Sequence, residues 1–222
     1  MKTLKHLQSF LDSTRRASDV RCLVRHDPRL EAVAERAASA RDVLADAHRE
    51  YVGEVSSLRM AVSLETAGLL GAIIGLTRPR RILDLGSGFS SYVCRHPEWG
   101  ATPDVTSVDD DEQWLDATVA YLDSQGVGSD KVVSWEAFRL ESVPPFDLIF
   151  HDLGSMGTRF LALPRVLELG ATTGLTLFDD THKRRYAARL WWTLRQRGLS
   201  CHALVSLTRD DLGRYSSVLV RE

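Results

Sequence analysis

Apolar positions follow a helical spacing over the first 60 residues, and from Ser63 the pattern changes. After Pro28, a residue suited to a helix start, Leu30, Val33, Ala37, Ala40, Leu44, Ala47 and Tyr51 recur in steps of three and four. That spacing lays one apolar stripe along a single helix face, with Glu31, Glu35, Arg36, Arg41 and Asp42 on the wet side. The stripe is rich in alanine and suits close packing, either against another helix of this chain or as a homodimer seam with a second copy. Ser63 can then cap a helix that has Glu65 in its first turn and carries Leu69, Leu70, Ile73, Ile74 and Leu76 until Pro79 stops it.

From Arg81 onward short apolar runs alternate with helical segments. Residues Arg81–Leu85, Val105–Val108, Lys131–Trp135, Phe146–Phe150 and Leu175–Phe178 read as strands; Glu112–Ser124, Arg159–Leu169 and Thr181–Arg197 read as helices. Strand and helix in turn predict a parallel sheet with crossover helices on both faces. The tail breaks the rhythm. Ser200–Leu207 and Tyr215–Val220 read as strands joined by a link too short for a crossover helix, hence an antiparallel hairpin at one edge. The expected fold class is α/β, a Rossmann-like seven-stranded, mostly parallel sheet. An N-terminal helical extension over 1–62 forms part of the same unit as a ligand-binding domain over 63–222.

Composition acts mainly by exclusion. The 222 residues suffice for one α/β domain and an extra helical element, and 44% hydrophobic with 26% charged residues is ordinary for a globular chain. A formal charge of −2 offers no basic field for a phosphate backbone, so no nucleic-acid partner is expected. The basic runs Arg78–Arg81 and Lys183–Arg185 read as solvated faces. The pair Pro144-Pro145 precedes a strand, unlike the Pro-Pro-aromatic box that follows the fourth strand in amino-methylating DNA enzymes. Cys22, Cys94 and Cys201 form no CxxC pair and suit idle thiols in a reducing compartment. The first residues lack the apolar core of a secretory signal, and Leu69–Leu76 is too short to span a bilayer. A cytoplasmic protein with no membrane partner is the expectation.

In open α/β sheets ligands gather at the carboxyl ends of the strands. The first strand ends Leu83-Asp84-Leu85-Gly86-Ser87-Gly88, where two glycines allow a sharp turn and room for a ligand. The second ends Val108-Asp109, and a carboxylate at Asp109 can accept both hydroxyl hydrogens of a ribose. A Gly-rich turn with a distal acid is also the dinucleotide signature, but Ser91 stands where the third glycine of GxGxxG would fall. Asp84 lies two residues before the bend and is expected to repel a pyrophosphate while welcoming a cationic amino acid group.

Leu83-Asp-Leu-Gly-Ser-Gly88, Val108-Asp109, Phe146-Asp-Leu-Ile-Phe-His-Asp152 and Leu177-Phe-Asp-Asp180 resemble the successive strand-end motifs of class I S-adenosylmethionine-dependent methyltransferases. Their order and spacing are most similar to the catechol O-methyltransferase-like branch of small-molecule O-methyltransferases. The resemblance runs from about Val55 to Glu222; Met60–Glu65 is similar to that branch's entry segment over donor and substrate, and residues 1–50 take no part in it. It implies that Asp84, Gly86, Ser87 and Gly88 border the methionyl end of S-adenosylmethionine and that Asp109 holds the ribose. It places Glu136 and Ala137 at the adenine, with Trp135 or Trp114 as covers for the ring or as ordinary core anchors. It also implies a divalent cation such as Mg²⁺ on Asp152, Asp179 and Asp180, an oxygen-rich set suited to hard ions. The other reading of Asp179 and Asp180 is as caps of the following helix.

Two departures stand out. The third ligand of that branch is commonly asparagine, here Asp180; and a lysine commonly follows the first aspartate by three residues, here Ser155. Asp152, His182 and Lys183 are therefore the candidate catalytic groups, with His182 matched to neutral pH and His151 a further candidate. The function these features imply is methyl transfer to a hydroxyl of a small molecule. The alternatives are an NAD-dependent oxidoreductase and a non-catalytic donor-binding module.

Overall fold

The protein is described by a computed structural model over residues 2–221, with side chains from residue 11 onward. Met1 and Glu222, the outer limits of the two expected segments, lie outside the described residues. Helix α1 (Lys2–His26) ends at Asp27, whose carboxylate accepts from the Arg29 amide and caps a 3-10 turn over Pro28–Ala32. Helix α2 (Val33–Glu54) follows, and α3 (Leu64–Thr77) starts where the Ser63 hydroxyl oxygen accepts the Thr66 amide at 3.1 Å. The 3-10 turn and α3 both start where side-chain acceptors meet amides that have no partner inside the helix.

The remaining elements are β1 (Arg81–Leu85), α4 (Phe89–Arg95), β2 (Asp104–Asp109), α5 (Glu112–Ser124), β3 (Val132–Ser134), α6 (Trp135–Phe138), β4 (Phe146–His151), α7 (Met156–Leu169), β5 (Gly170–Phe178), α8 (Arg184–Arg195), β6 (Leu199–Ala203), α9 (Val205–Thr208) and β7 (Ser217–Arg221). The strands form one sheet in the order β3-β2-β1-β4-β5-β7-β6. The first five are parallel, and β7 runs antiparallel between β5 and β6. This is a Rossmann-like α/β fold. The chain turns outward in opposite directions from β1 and β4, so the crevice expected at a switch of strand order lies over the carboxyl ends of these two strands.

Alternation along the strands divides the core into two layers. Ile82, Leu148, Phe150, Leu177 and Val218 pack with α1 to α5 on one face. Leu83, Leu85, Ile149, Phe178 and Leu219 pack with α6, α7 and α8 on the other. Helix α3 buries residues all round its circumference because it is held between α2 and the sheet. The alanine stripe of α2 is used here: Val33, Ala37, Ala40, Leu44 and Tyr51 are buried, so the core-packing alternative is the one adopted. Among the described residues no helix is long and apolar enough to cross a membrane.

Several boundaries differ from expectation; β5, for one, starts at Gly170, well before the expected Leu175. Helix α7 starts at Met156 because the Ser155 hydroxyl oxygen accepts the Thr158 amide. Helix α8 starts only at Arg184, because Lys183 before it is extended (φ −73°, ψ 100°) and serves as the N-cap. The strand expected over Ser200–Leu207 stops at Ala203 and gives way to α9. That turn buries Leu204 and Leu207 together, while the Ser206 amide and hydroxyl both donate to Asp19 of α1. The link between the paired ends of β6 and β7 therefore holds a helical turn.

The approach of α2 to α3 is set at Gly68, where a Cβ would lie 2.4 Å from Cγ of Arg41 and 2.8 Å from the Ala37 carbonyl oxygen. Gly68→Ala is expected to cost about 1–3 kcal/mol by overpacking, measured as a lowered urea midpoint. Gly53→Ala, with nothing within 4 Å of the added carbon, is expected to leave stability equal or raise it by about 0.5–1 kcal/mol.

Candidate functional site

A cavity of about 620 Å³ opens over the carboxyl ends of β1, β2, β4 and β5. Its floor is the bend Gly86-Ser87-Gly88, with both glycines at positive φ, 98° and 145°. A Cβ on Gly86 would lie 2.6 Å from the backbone carbon and oxygen of Asp152, and one on Gly88 would lie 2.8 Å from the Tyr51 hydroxyl. Only glycine lets the β1 and β4 backbones pass at this distance.

Asp84 holds the bend from beneath. Its carboxylate is fully buried; Oδ2 accepts from the Ser91 hydroxyl at 2.5 Å and from the Ser107 hydroxyl at 3.0 Å. Ser91 in turn accepts the Gly88 amide at 3.1 Å, and Ser107 accepts from Arg95 at 2.8 Å. Burial pushes the Asp84 carboxyl above its ordinary range, against these hydrogen bonds and the Arg95 charge. Asp84 does not line the cavity. The expectation that it faces the ligand is corrected: position 84 shares the face of Ile82, under α4, where its carboxylate is buried and bonded to Ser91 and Ser107.

Asp109 does reach the cavity. It is 5% exposed; its oxygens accept from the Asp111 amide at 3.2 Å and the Ser87 hydroxyl at 3.4 Å, and burial pushes its pKa up to about 6. Ser87 also lines the cavity and bonds Thr118 of α5. Trp114 lies alongside, its indole N–H donating to the Ser87 carbonyl at 2.5 Å. Glu136 and Ala137 lie outside the lining, on α6, where Glu136 is exposed and pairs with Arg139 at 2.7 Å. The structure does not bring these two residues into the lining of this cavity. Trp135 packs on Phe138 instead of covering a ring.

The three acids at the ends of β4 and β5 do not converge on a cation site. Arg159, 5% exposed, enters between them: its Nη2 contacts Asp152 Oδ1 and lies 3.3 Å from Asp180 Oδ2. Lys183 Nζ sits 2.5 Å from Asp180 Oδ2, and Asp179 turns to accept the Ser216 hydroxyl at 2.6 Å. Burial would raise Asp180, but the Lys183 hydrogen bond and the Arg159 charge outweigh it and hold this carboxyl below its ordinary range. Burial and the two neighbouring carboxylates push Asp152 well above its range despite Arg159. Among the described residues no three His, Cys, Asp or Glu side chains come together as a metal site. The residues present do not fit a divalent ion, and the expected ligand set of Asp152, Asp179 and Asp180 is corrected on that ground. Nor do Asp179 and Asp180 cap α8, whose N-cap is Lys183.

Of the candidate bases, Asp152 and Lys183 line the cavity. His182 stands in a neighbouring recess, with Nδ1 3.5 Å from Asp180 Oδ1. His151 is fully buried, donates from Nε2 to the Arg159 carbonyl at 3.1 Å and is pushed down to about 4 by burial, so it belongs to the packing. Arg159, Tyr51 and Asp110 were not singled out as site residues from the sequence. Asp110 reaches across the cavity to accept the Thr158 hydroxyl at 3.0 Å, against Gly154, where a Cβ would strike its carboxylate. The one sequence signal for Asp110 was its place in the Asp109–Asp111 run; for Arg159 there was none.

No protein-family model matches the chain, and no curated protein matches it. Solved structures do. An O-methyltransferase from Bacillus cereus in complex with SAH aligns with a TM-score of 0.63 at 15% identity, over 82% of this chain and 91% of that one. Cofactor-bound Rv0187 from MTB aligns at 0.62 and 21% identity, over 96% and 95%. The O-methyltransferase TomG from Streptomyces achromogenes, in complex with SAM, aligns at 0.59 and 19%, over 81% and 87%. This chain has the fold of class I S-adenosylmethionine-dependent O-methyltransferases.

Proposed function

We propose that the protein transfers a methyl group from S-adenosylmethionine to a hydroxyl of a small molecule. The observation that carries this reading is the charge of the cavity around a side-chain-free bend. Asp109, Asp110, Asp111, Asp152, Asp179 and Asp180 line it against Arg59, Arg159, Lys183 and Arg214, a net negative balance that disfavours a diphosphate and favours a donor carrying sulfonium and ammonium charge. The O-methyltransferase structures named above, with bound SAH or SAM, support the same reading through their shared fold.

The site residues fit such a donor. The bend Gly86–Gly88 brings backbone within reach of its amino acid end, and Asp109 accepts its ribose hydroxyls. Trp114 and Tyr51 wall the space beside Gly88. S-adenosylmethionine bound there supplies an electrophilic methyl carbon. At the other end Lys183 offers ammonium N–H donors to the acceptor oxygen. Asp152, whose proton affinity is raised by burial, takes the hydroxyl proton as that oxygen bonds to the methyl carbon and the carbon–sulfur electron pair stays on sulfur. Holding oxygen and methyl in line is the larger share of the task. Met60, 71% exposed, and Arg59 stand where an acceptor would enter. A cytoplasmic setting belongs to this reading, since the free thiols Cys22, Cys94 and Cys201 suit a reducing compartment.

Two results are expected. S-adenosylhomocysteine at a hundredfold excess over its dissociation constant stabilises the protein by about 2.7 kcal/mol, read as a raised thermal midpoint, and NAD leaves it unmoved; the reverse order would instead support an oxidoreductase. The second concerns Asp109. Its folded pKa of about 6 exceeds the unfolded value of roughly 3.9. The folded state therefore binds the proton more tightly, and stability falls as pH rises from about 4 to about 6. Asp109→Asn removes that cost, so at pH 7.5 its thermal midpoint should rise while calorimetry shows S-adenosylhomocysteine affinity at least tenfold weaker. Unchanged affinity would remove Asp109 from the donor site.

A further inference from the structure

We infer that Arg159 is the resident cation of the acidic cluster at the acceptor end of the cavity, and that this site works without a divalent metal. Asp152 and Asp180 share its Nη2, and Nη1 donates to the Asp179 carbonyl oxygen at 3.5 Å. The guanidinium thus touches each of the three residues at the ends of β4 and β5. It is also fixed from behind. Its own carbonyl accepts from His151 of β4, its ring neighbour is Tyr186 of α8 at 5.8 Å, and Ser155 caps the helix turn that carries it. A hard divalent ion needs several carboxylate and carbonyl oxygens free at once. Here the Asp180 oxygens are engaged by Arg159, Lys183 and His182, and Asp179 is turned toward Ser216.

The chemistry follows from charge. A metal between three carboxylates would hold them close together; a buried guanidinium does the same permanently, opposing the burial that raises Asp152, and its planar donors also fix their direction. Arg159 acts through Asp152 and Asp180 as a positioning residue: it holds Asp152 at the cavity wall, ready for the acceptor proton, and leaves Asp180 to Lys183. The inference rests on the methyl-transfer reading only where it speaks of turnover. Occupancy of the cluster can be measured without a donor.

The test is the thermal midpoint of the full chain in EDTA and in millimolar Mn²⁺. The wild type is expected to show no shift. Arg159→Ala should melt lower in EDTA and regain part of the loss in Mn²⁺, because its carboxylates are left without a cation; Arg159→Lys, which keeps the charge, should remain unresponsive. A structural role alone would lower both midpoints and give neither a Mn²⁺ response. Saturable stabilisation of the wild type by Mn²⁺, lost in Asp152→Asn, would overturn the inference, as would turnover abolished by EDTA and restored by Mg²⁺. Should Arg159→Ala fail to fold, the wild-type and Arg159→Lys responses decide. Failure of S-adenosylhomocysteine to bind would instead strike the methyl-transfer reading and leave the Mn²⁺ measurement standing.

Discussion

The cavity depends on one buried carboxylate. Asp84 lies below the bend it supports, and through Ser91 it fixes the Gly88 amide while through Ser107 it ties β1 to β2. An ionised group taken out of water at such depth costs several kcal/mol unless hydrogen bonds and an opposite charge offset it. Two hydroxyl donors and the nearby Arg95 offset part of it, and burial still holds the carboxyl above its ordinary range. The stabilised object is a length of backbone without side chains, held against the turn at Asp152 where any Cβ on Gly86 would collide. Fold and site meet at this crossing of β1 and β4.

The two ends of the cavity handle negative charge differently. At the β2 end Asp109 is paired with hydroxyl and amide donors and with no cation, and its proton affinity is correspondingly high. A cationic ligand would relieve it. At the β4 and β5 ends the acids are already met by Arg159 and Lys183. The second end holds cations of its own and the first, among the described residues, does not; under the proposed function this separates a place for a charged donor from a place for an acceptor that arrives through its hydroxyl.

Much of this architecture could be read from residue patterns. Short apolar runs between helical segments located all five parallel strands, and strand ends marked the bend and Asp109, because a strand's last residues and the loop after it necessarily stand at the sheet's edge. What escaped were contacts made by long or turned side chains. Asp84 is the penultimate residue of β1, and strand alternation directs it under α4. The Arg159 side chain crosses from α7 to the ends of both β4 and β5, a reach that no spacing in the sequence encodes. The α9 turn escaped because tertiary contacts, the Asp19 carboxylate on Ser206 and the burial of Leu204 with Leu207, overrode a stretch with strand-like alternation.

The most direct measurement is a crystal structure of the protein grown with S-adenosylhomocysteine. The account predicts the ribose hydroxyls on the Asp109 carboxylate and the amino acid end against the backbone of Gly86 to Gly88, with Asp84 still bonded to Ser91 and Ser107 and touching no ligand atom. A ligand bound away from the bend, or one whose ribose makes no contact with Asp109, would contradict it.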